Sequence, residues 1–169
     1  MTAAPDLPFN LELAKSCSHA FSMSTGIGCT ISDPQGATLC EHGYGCSSCE
    51  LCSIAGEPQD TCVHAHNYGM DAAARFGGRY VYFCPLGLTC LVSPIIGDTA
   101  NAARITAGPI IMVEKQDFID CELSDRFPAS SDRLEQALLF LDKISMISPE
   151  KVQELSVLLF MAAGFMNNL

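Results

Sequence analysis

Four cysteines fall within twenty residues, in the stretch GYGCSSCELCSIAGEPQDTC that runs from Gly43 to Cys62. The whole chain of 169 residues has ten cysteines. So many thiols constrain the fold, because a metal site draws its ligands from separate elements and the chain has to bring those elements together. A disulfide framework is the weaker interpretation, since a chain of this length buries enough apolar surface to fold without one.

The two ends of the chain and its charge indicate where it works. The opening MTAAPDLPFNLELAK lacks the basic and apolar regions of a secretory signal peptide, and the most apolar run, VLLFMAAGF, is too short to cross a bilayer. We therefore expect a cytoplasmic protein, in which cysteines more often bind metal than form disulfides. Nineteen acidic against nine basic residues give a net charge of −10, which disfavours direct contact with nucleic acid or an anionic membrane.

The order of the predicted elements favours an α+β fold. A helical pattern covers 11–25, and 26–40 predicts a hairpin around the turn sequence DPQG. DTCVHAHNYGMDAAARFGG predicts a helix, and strands follow at RYVYFC, LTCLVSPII and ARITAGPIIMV, with a turn at GDTANA. Gly108-Pro109 predicts a bulge or an edge position. We expect a PAS/GAF-like antiparallel sheet of about five strands, with flanking helices and a cysteine-rich helical insert.

Two helices are predicted at the end of the chain. Ser131 and Asp132 can cap RLEQALLFLDKI, and Ser148-Pro149 gives the next helix its N-cap and first residue. This closing helix, 149–169, contains VLLFMAAGFM, which is apolar on nearly all sides and needs burial in the core or against a partner. We expect one domain over 1–169, with the closing helix as a dimer interface or a connection to an output module.

Helical geometry limits how the clustered cysteines can act together. The run Cys46-x2-Cys49-x2-Cys52 has the spacing of bacterial ferredoxin-type sites, which a remote cysteine completes. On a straight helix, Cys46 and Cys52 would lie about 9 Å apart along the axis. All three can face one centre only if the backbone leaves the helix, and Gly43 and Gly45 just upstream allow that.

Three features resemble the PocR sensory domain, a PAS-like ligand-binding module of bacterial transcription regulators and signalling kinases. The first is the opening helix with STGIGCTISDPQGATL. The second is the spacing of Cys49, Cys62 and Cys84, with twelve and twenty-one residues between them; Cys84 lies in YFCPLGL, ahead of SPI at 93–95. The third is a degenerate form of a later family strand at ARITAGPIIMV, together with the closing helix ISPEKVQELSVLLFMAA.

The resemblance covers nearly the whole chain but departs from the family pattern in two places. Pro85 stands where the family commonly has a histidine after its third cysteine. Cys46, Cys52 and Cys90 exceed the usual cysteine pattern. These additions allow a centre that differs from that of the relatives.

The resemblance implies a signal-sensing domain that is not an enzyme. Its small ligand, in this family a hydrocarbon-derived molecule such as a diol, is expected between sheet and helices. Tyr82, Met112 and Met70 are the predicted residues of that ligand site, because an aromatic strand face and adaptable methionines suit such a cavity. The expected partners are a second copy of the chain and an output domain, kinase or regulator.

Cys49, Cys62 and Cys84 are the predicted core of a metal site, with Cys46 or Cys52 as the fourth ligand. Thiolate-only ligation suits an iron–sulfur cluster, expected here as 4Fe-4S, and it also suits structural zinc as the alternative. Histidine ligands would favour zinc. His64 and His66 follow Cys62 in CVHAH, but on a helix at most His66 can point with Cys62, and both are expected to be ordinary, partly exposed helix residues.

Thiol-disulfide exchange through Cys46 and Cys49 is the alternative of a different class. A Cys-x-x-Cys pair between a strand and a helix has the position of a thioredoxin-type pair, where the helix dipole lowers a thiol pKa. The preceding hairpin, however, breaks the βαβ order of that fold. Cys17 and Cys29 have a simpler interpretation as small core residues, because free cysteine is among the most buried residue types.

Overall fold

The structure is a computed structural model that describes residues 9–95, 103–128 and 131–167. Six α-helices occur in these ranges: α1 (Leu11–Thr25), α2 (Leu51–Ala55), α3 (Gln59–Arg75), α4 (Lys115–Phe118), α5 (Asp132–Leu141) and α6 (Pro149–Asn167). The strands are β1 (Cys29–Ser32), β2 (Thr38–His42), β3 (Tyr80–Phe83), β4 (Thr89–Ile95), β5 (Ala103–Ile111) and β6 (Ser145–Met146). A 3-10 turn, Cys46–Ser48, precedes α2, and a π-helical turn, Ile119–Leu123, follows α4. The predicted turn over 97–102 lies outside the described residues.

The strands form one sheet in the order β2-β1-β5-β4-β3, and each of these neighbours pairs antiparallel. The two-residue β6 adds to β5 in parallel. The predicted α+β class, with a five-stranded antiparallel sheet, flanking helices and a cysteine-rich insert, is confirmed. Neither β6 nor α4 was predicted, because elements of two to four residues are too short to show a hydrophobic period.

The predicted helix ends agree with the structure where capping residues mark them. Asn10 Oδ1 accepts the backbone N–H of Leu13 at 3.1 Å to start α1, and Ser131 caps α5. Helix α6 begins at Pro149, as Ser148-Pro149 predicts. In the charged segment after β5, α4 and the π-helical turn bury Phe118 and Leu123. Two isolated apolar residues among charges are a weak signal.

Alternation along the strands divides the sheet into two faces. One face, which we call the core face, packs against α1 and α6. It carries Cys29, Ile31, Leu91, Ile95, Ile105 and Ala107, all fully buried. The other, which we call the insert face, lies under the segment 43–75, and its cross-strand pairs are Thr30 with Thr106 and Ser32 with Arg104. Successive side chains of a strand point to opposite faces, which places the polar side chains of β1 and β5 on the insert face.

A bulge between β4 and β5 shapes the insert face. Thr89 pairs with Ile110 and Leu91 with Ala107, so Gly108 and Pro109 together stand opposite Cys90. Gly108 has φ +133, and a Cβ there would lie 2.9 Å from the Thr89 carbonyl oxygen and 3.3 Å from Cys90 Sγ. The predicted bulge is confirmed, whereas the edge position is wrong, since β5 lies between β1 and β4.

Helix α6 is buried on one side only. It packs Val152, Leu155, Leu159, Ala163 and Met166 onto the core face. Its other side exposes five large apolar side chains: Val157, Leu158, Phe160, Met161 and Phe165. None of the helices that the structure describes has the length and apolar character required to span a membrane.

Candidate metal centre and the cavity beside it

The backbone leaves the helix within the cysteine run. Cys46 begins a 3-10 turn, Cys49 is extended with φ −71 and ψ 121, and α2 starts only at Leu51. Three cysteines of the motif thus point in directions that a straight helix would not allow. The condition stated for their convergence, an unwound segment after Gly43 and Gly45, is met.

Glu41 at the end of β2 holds this turn in place. Its Oε2 accepts three hydrogen bonds: from the Thr30 hydroxyl at 2.6 Å, from the backbone N–H of Ser47 at 2.8 Å and from the Ser47 hydroxyl at 2.7 Å. Its Oε1 accepts a fourth, from the Ser48 hydroxyl. Gly45 lies directly against this network, since a Cβ there would be 2.6 Å from Glu41 Oε2 and Thr30 Oγ1. Burial raises the pKa of Glu41, but these hydrogen bonds outweigh it and the pKa is lowered from its ordinary value.

Six thiols meet at a small cavity between the insert and the sheet, which we call the thiol cavity. It encloses about 10 Å³, room for a single water-sized group. Its polar lining is Cys46, Cys49, Cys52, Cys62, Cys84, Cys90 and His66, and its apolar lining is Leu51, Leu86, Leu88 and Pro109. All five cysteines predicted as metal ligands are therefore neighbours, and Cys90 and His66 join them.

The donor atoms are not evenly spaced. Cys46 Sγ lies 3.7 Å from Cys90 Sγ, and a ring nitrogen of His66 lies within 4.8 Å of both sulfur atoms. Among the described residues, this is the one group of three potential metal ligands from His, Cys, Asp or Glu whose donor atoms all lie within 4.8 Å of one another. The sulfur atoms of Cys49, Cys62 and Cys84 are consequently spread more widely. All of these thiols are free rather than disulfide-bonded.

Burial controls the protonation of these thiols. It raises the pKa of Cys49 and of Cys84 to about 12, that of Cys52 to about 11, and that of Cys62 as well. Without a cation, Cys49, Cys52 and Cys84 stay protonated at neutral pH. A bound metal ion would displace those protons and supply the missing counter-charge, and thiolate sulfur in a dry site is the donor that soft metals prefer. The donor set therefore fits a cysteine-ligated metal centre.

His66 is held at one side of the thiol cavity. The Tyr82 hydroxyl contacts its Nδ1, and the two rings meet edge to face with centroids 5.7 Å apart. Burial, followed by the positive charge of Arg104, lowers the pKa of His66 to about 4, so its imidazole is neutral at physiological pH. A neutral imidazole is the metal-binding form. His64 lies on a different, exposed side of α3, so only His66 accompanies Cys62, as predicted.

A larger cavity opens next to the thiol cavity on the insert face, and we call it the polar cavity. Its volume is about 410 Å³, within the range of small-molecule sites. Hydroxyls of Thr30, Ser32 and Thr106 line it, and Arg104 is the only charged side chain among the described residues of its lining. The two cavities share Cys46 and His66. A ligand in the polar cavity would thus touch side chains that also belong to the thiol cavity.

Arg104 is held in position at the polar cavity. Its Nη1 donates to Asn67 Oδ1 at 3.0 Å and to the His66 carbonyl oxygen at 3.5 Å, both on α3. Arg104 and the hydroxyl residues were not among the predicted site residues. The signal was present, because Thr30 and Ser32 alternate with apolar residues in β1, and Arg104 and Thr106 do so in β5.

The structure does not bring the three predicted ligand-site residues together. Tyr82 is buried on the insert face beside His66, and Met70 packs in the same small cluster. Met112 packs against the core-face cluster instead. Strand periodicity places Tyr82 correctly on a face, but the position of a methionine near the end of a strand depends on packing that the sequence does not show. Their role in ligand binding stays a prediction.

The architecture is thus an antiparallel sheet with helices on one face and a concave, partly polar cavity under an insert on the other. The family model described as the sensory domain found in PocR matches residues 8–169, and the chain belongs to this family. The resemblance read from the sequence is confirmed.

One solved structure is similar over its full length. It is the C-terminal domain of a protein assigned as a transcriptional regulator of Vibrio cholerae, with 11% identity over 96% of this chain and 98% of that one, at a TM-score of 0.45. This likeness is too low to support an inference about function. No curated protein matches the chain significantly.

Proposed function

We propose that the chain is the sensory part of a bacterial transcription regulator or signalling kinase in the cytoplasm, and that it senses through a cysteine-ligated metal centre beside a small-ligand cavity. One observation carries the proposal: six thiols from four separate segments converge on the thiol cavity, which adjoins the polar cavity. Family membership supports the sensory role. A regulator with such a domain would read a ligand, the state of the metal centre, or both.

Cys49, Cys62, Cys84 and Cys52 are the proposed ligands. The first three have the family spacing, and they come from the insert, α3 and the end of β3. Cys52 is preferred over Cys46 as the fourth ligand, because the Cys52 thiol lies beside that of Cys62, which together with burial raises its pKa. Cys46 lies against Cys90 instead. Leu51, Leu86 and Leu88, all fully buried, would exclude water from the centre.

An iron–sulfur cluster is the proposed group, and structural zinc is the second candidate. The sulfur atoms of Cys49, Cys62 and Cys84 are spread more widely than one ion requires, which favours a cluster. The enclosed volume of about 10 Å³ favours a single ion unless cysteine side chains rotate outward. A cluster would supply electron exchange and sensitivity to oxygen, while zinc would only stabilise the insert.

The test is the visible spectrum and the iron, sulfide and zinc content of protein purified without oxygen. A brown protein with iron and sulfide supports the cluster, and one zinc per chain without colour supports the second candidate. Cys84→Ser should abolish the centre, whereas the control Cys17→Ser should keep it, because Cys17 packs against the core face. A wild-type protein that binds none of these would overturn the proposal.

Thiol-disulfide exchange through Cys46 and Cys49 is not favoured. Reactive thiols have a lowered pKa, but burial raises the pKa of Cys49 to about 12. The sulfur of Cys46 lies against that of Cys90, at 3.7 Å. These observations support a sensory rather than an enzymatic role.

We also propose a homodimer that forms through the exposed side of α6. Its five large apolar side chains are Val157, Leu158, Phe160, Met161 and Phe165. The opposite side of the same helix packs onto β4 and β5, so a change at the sheet has a direct path to the dimer interface. An output module would receive the signal through this helix.

A further inference from the structure

Three donors of the thiol cavity stand apart from the proposed centre. Cys46 and Cys90 exceed the family's cysteine pattern, and His66 was expected to be an ordinary helix residue. The structure nevertheless places their donor atoms within 4.8 Å of one another, closer than any other three such donors in the described part of the chain. None of the three is needed for a site built from Cys49, Cys52, Cys62 and Cys84.

The sulfur spacing matches that of a single bound ion. Zinc–thiolate bonds of about 2.3 Å in tetrahedral geometry separate two sulfur ligands by about 3.8 Å. Cys46 Sγ and Cys90 Sγ are 3.7 Å apart. A disulfide would bring the two sulfur atoms to about 2.05 Å, and both cysteines are free. The pair is therefore already spaced as two ligands of one metal ion.

Three separate elements hold these donors. Cys46 begins the turn that Glu41 anchors, Cys90 lies at the bulge opposite Gly108, and His66 is on α3 with Tyr82 against its Nδ1. The contact with the Tyr82 hydroxyl and the edge-to-face packing of the two rings fix the orientation of the His66 imidazole. Ligands positioned in this way lose little conformational freedom when an ion binds.

Two of the three donors border the polar cavity. Cys90 is 2% exposed, but Cys46 and His66 also line the polar cavity. Three protein donors leave a tetrahedral ion with one position for an exogenous ligand. That position would face the cavity that contains Arg104 and the hydroxyls of β1 and β5. A guanidinium and hydroxyl groups are suited to a small carboxylate.

We propose that Cys46, His66 and Cys90 bind one divalent ion of the zinc type, and that its fourth position accepts a small carboxylate from the polar cavity beside Arg104. The site uses none of the four ligands proposed for the cluster and does not depend on it. Binding of the carboxylate and binding of the ion would depend on each other, since the carboxylate completes the coordination of the ion.

Cobalt(II) is the probe of the metal site, because thiolate-bound cobalt has a charge-transfer absorption that aqueous cobalt lacks. Cys84→Ser protein, stripped of metal by a chelator in reducing, oxygen-free buffer, should bind one Co2+ per chain with that absorption. Adding Cys90→Ser should weaken binding by more than about tenfold, whereas adding Cys17→Ser should not. Circular dichroism and the thermal midpoint check that each variant is folded, and His66→Ala provides a second variant with the same expectation.

Two results would overturn the site. In one, folded Cys84→Ser protein takes up no Co2+, which means that all the thiols serve one shared centre. In the other, Co2+ binds equally well after Cys90→Ser is added. If wild-type protein contains no iron and sulfide while the Cys90-dependent Co2+ site persists, the proposed cluster fails and this site stands.

Acetate tests the open position. It should shift the visible cobalt spectrum of the Cys84→Ser protein, and Arg104→Gln should weaken this acetate effect by about tenfold when both proteins are compared at saturating cobalt. No acetate-dependent shift, or an equal shift in Arg104→Gln, would contradict the role assigned to the fourth position and the guanidinium.

Discussion

The two faces of the sheet use the same strands for different purposes. On the core face, Leu91, Ile95 and Ile105 are fully buried against α1 and α6. On the insert face, the neighbouring positions Cys90, Arg104 and others supply a thiol, a guanidinium and hydroxyls. Alternation places them side by side without mixing them. Apolar packing and metal chemistry are thus separable, and substitutions on one face should leave the other largely intact.

Cysteine itself shows the difference between the faces. Cys29 in β1 is 0% exposed on the core face, among aliphatic side chains, where it acts as a small apolar residue. Cys90 in β4 is 2% exposed on the insert face, 3.7 Å from a second sulfur. Burial alone does not distinguish a structural thiol from a ligand; the neighbouring donors do.

The largest expected effect comes from removing an anchor of the core face. Leu91→Ala should lower the free energy of unfolding by about 2–5 kcal/mol, because a fully buried leucine leaves a cavity between β4 and α6. Urea unfolding measures this loss. The metal content per folded chain should stay at the wild-type level. Loss of metal from the folded variant would show that the two faces are coupled rather than separate.

The bulge is the next test, since it joins the two faces at Cys90. Gly108→Ala should cost about 1–3 kcal/mol, because alanine is strained at φ +133 and its Cβ would meet the Thr89 carbonyl and Cys90 Sγ. Cobalt uptake at the Cys46, His66, Cys90 site should fall as well.

Gly164→Ala in α6 is the matched control for the bulge substitution. A Cβ at Gly164 has no neighbour within 4 Å, so alanine should raise stability by about 0.5–1 kcal/mol through its helix propensity. A Gly108→Ala protein as stable as wild type would contradict the structure of the bulge.

Glu41→Gln tests the network that holds the cysteine turn. The pKa of Glu41 is lowered in the folded protein, so its stabilisation is complete above its ordinary value of 4.5 and is lost as the pH falls through the lower, folded value. Glutamine should cost about 1 kcal/mol at neutral pH, with allowance for partial exposure. The difference from wild type should shrink well below pH 4.5. Urea unfolding at both pH values measures it, and a constant difference would contradict the assignment.

Elements with strong local signals were predictable from sequence. Examples are the apolar period of α1, the turn sequence DPQG and the Ser148-Pro149 start of α6. In each, a few neighbouring residues are enough to indicate the local conformation. Cys49, Cys62 and Cys84 were predicted to belong to one site, and all three line the thiol cavity. The short α4 and β6 were missed, because packing rather than propensity determines them.

The site was predictable only in part. The cysteines were identified as a group, but the pairing of Cys46 with Cys90 depends on a sheet register and a bulge that bring positions 44 residues apart into contact. The polar cavity needs three strands and α3 at once. Arg104 became recognisable only when β5 was placed between β1 and β4. Long-range register is the information that a single sequence does not provide.

Substitutions on the exposed side of α6 are expected to have the smallest effect on stability and the largest effect on dimer formation. Leu158 is 46% exposed and Leu159 is 1% exposed, so neighbouring leucines on one helix separate the partner surface from the core. Leu158→Ser should change the free energy of unfolding by no more than about 0.5 kcal/mol but should shift the dimer towards monomer in analytical ultracentrifugation. Leu159→Ser should instead cost about 2–5 kcal/mol. A wild-type protein that sediments as a monomer at every concentration would remove the dimer from the proposal and leave the exposed side of α6 to an output module.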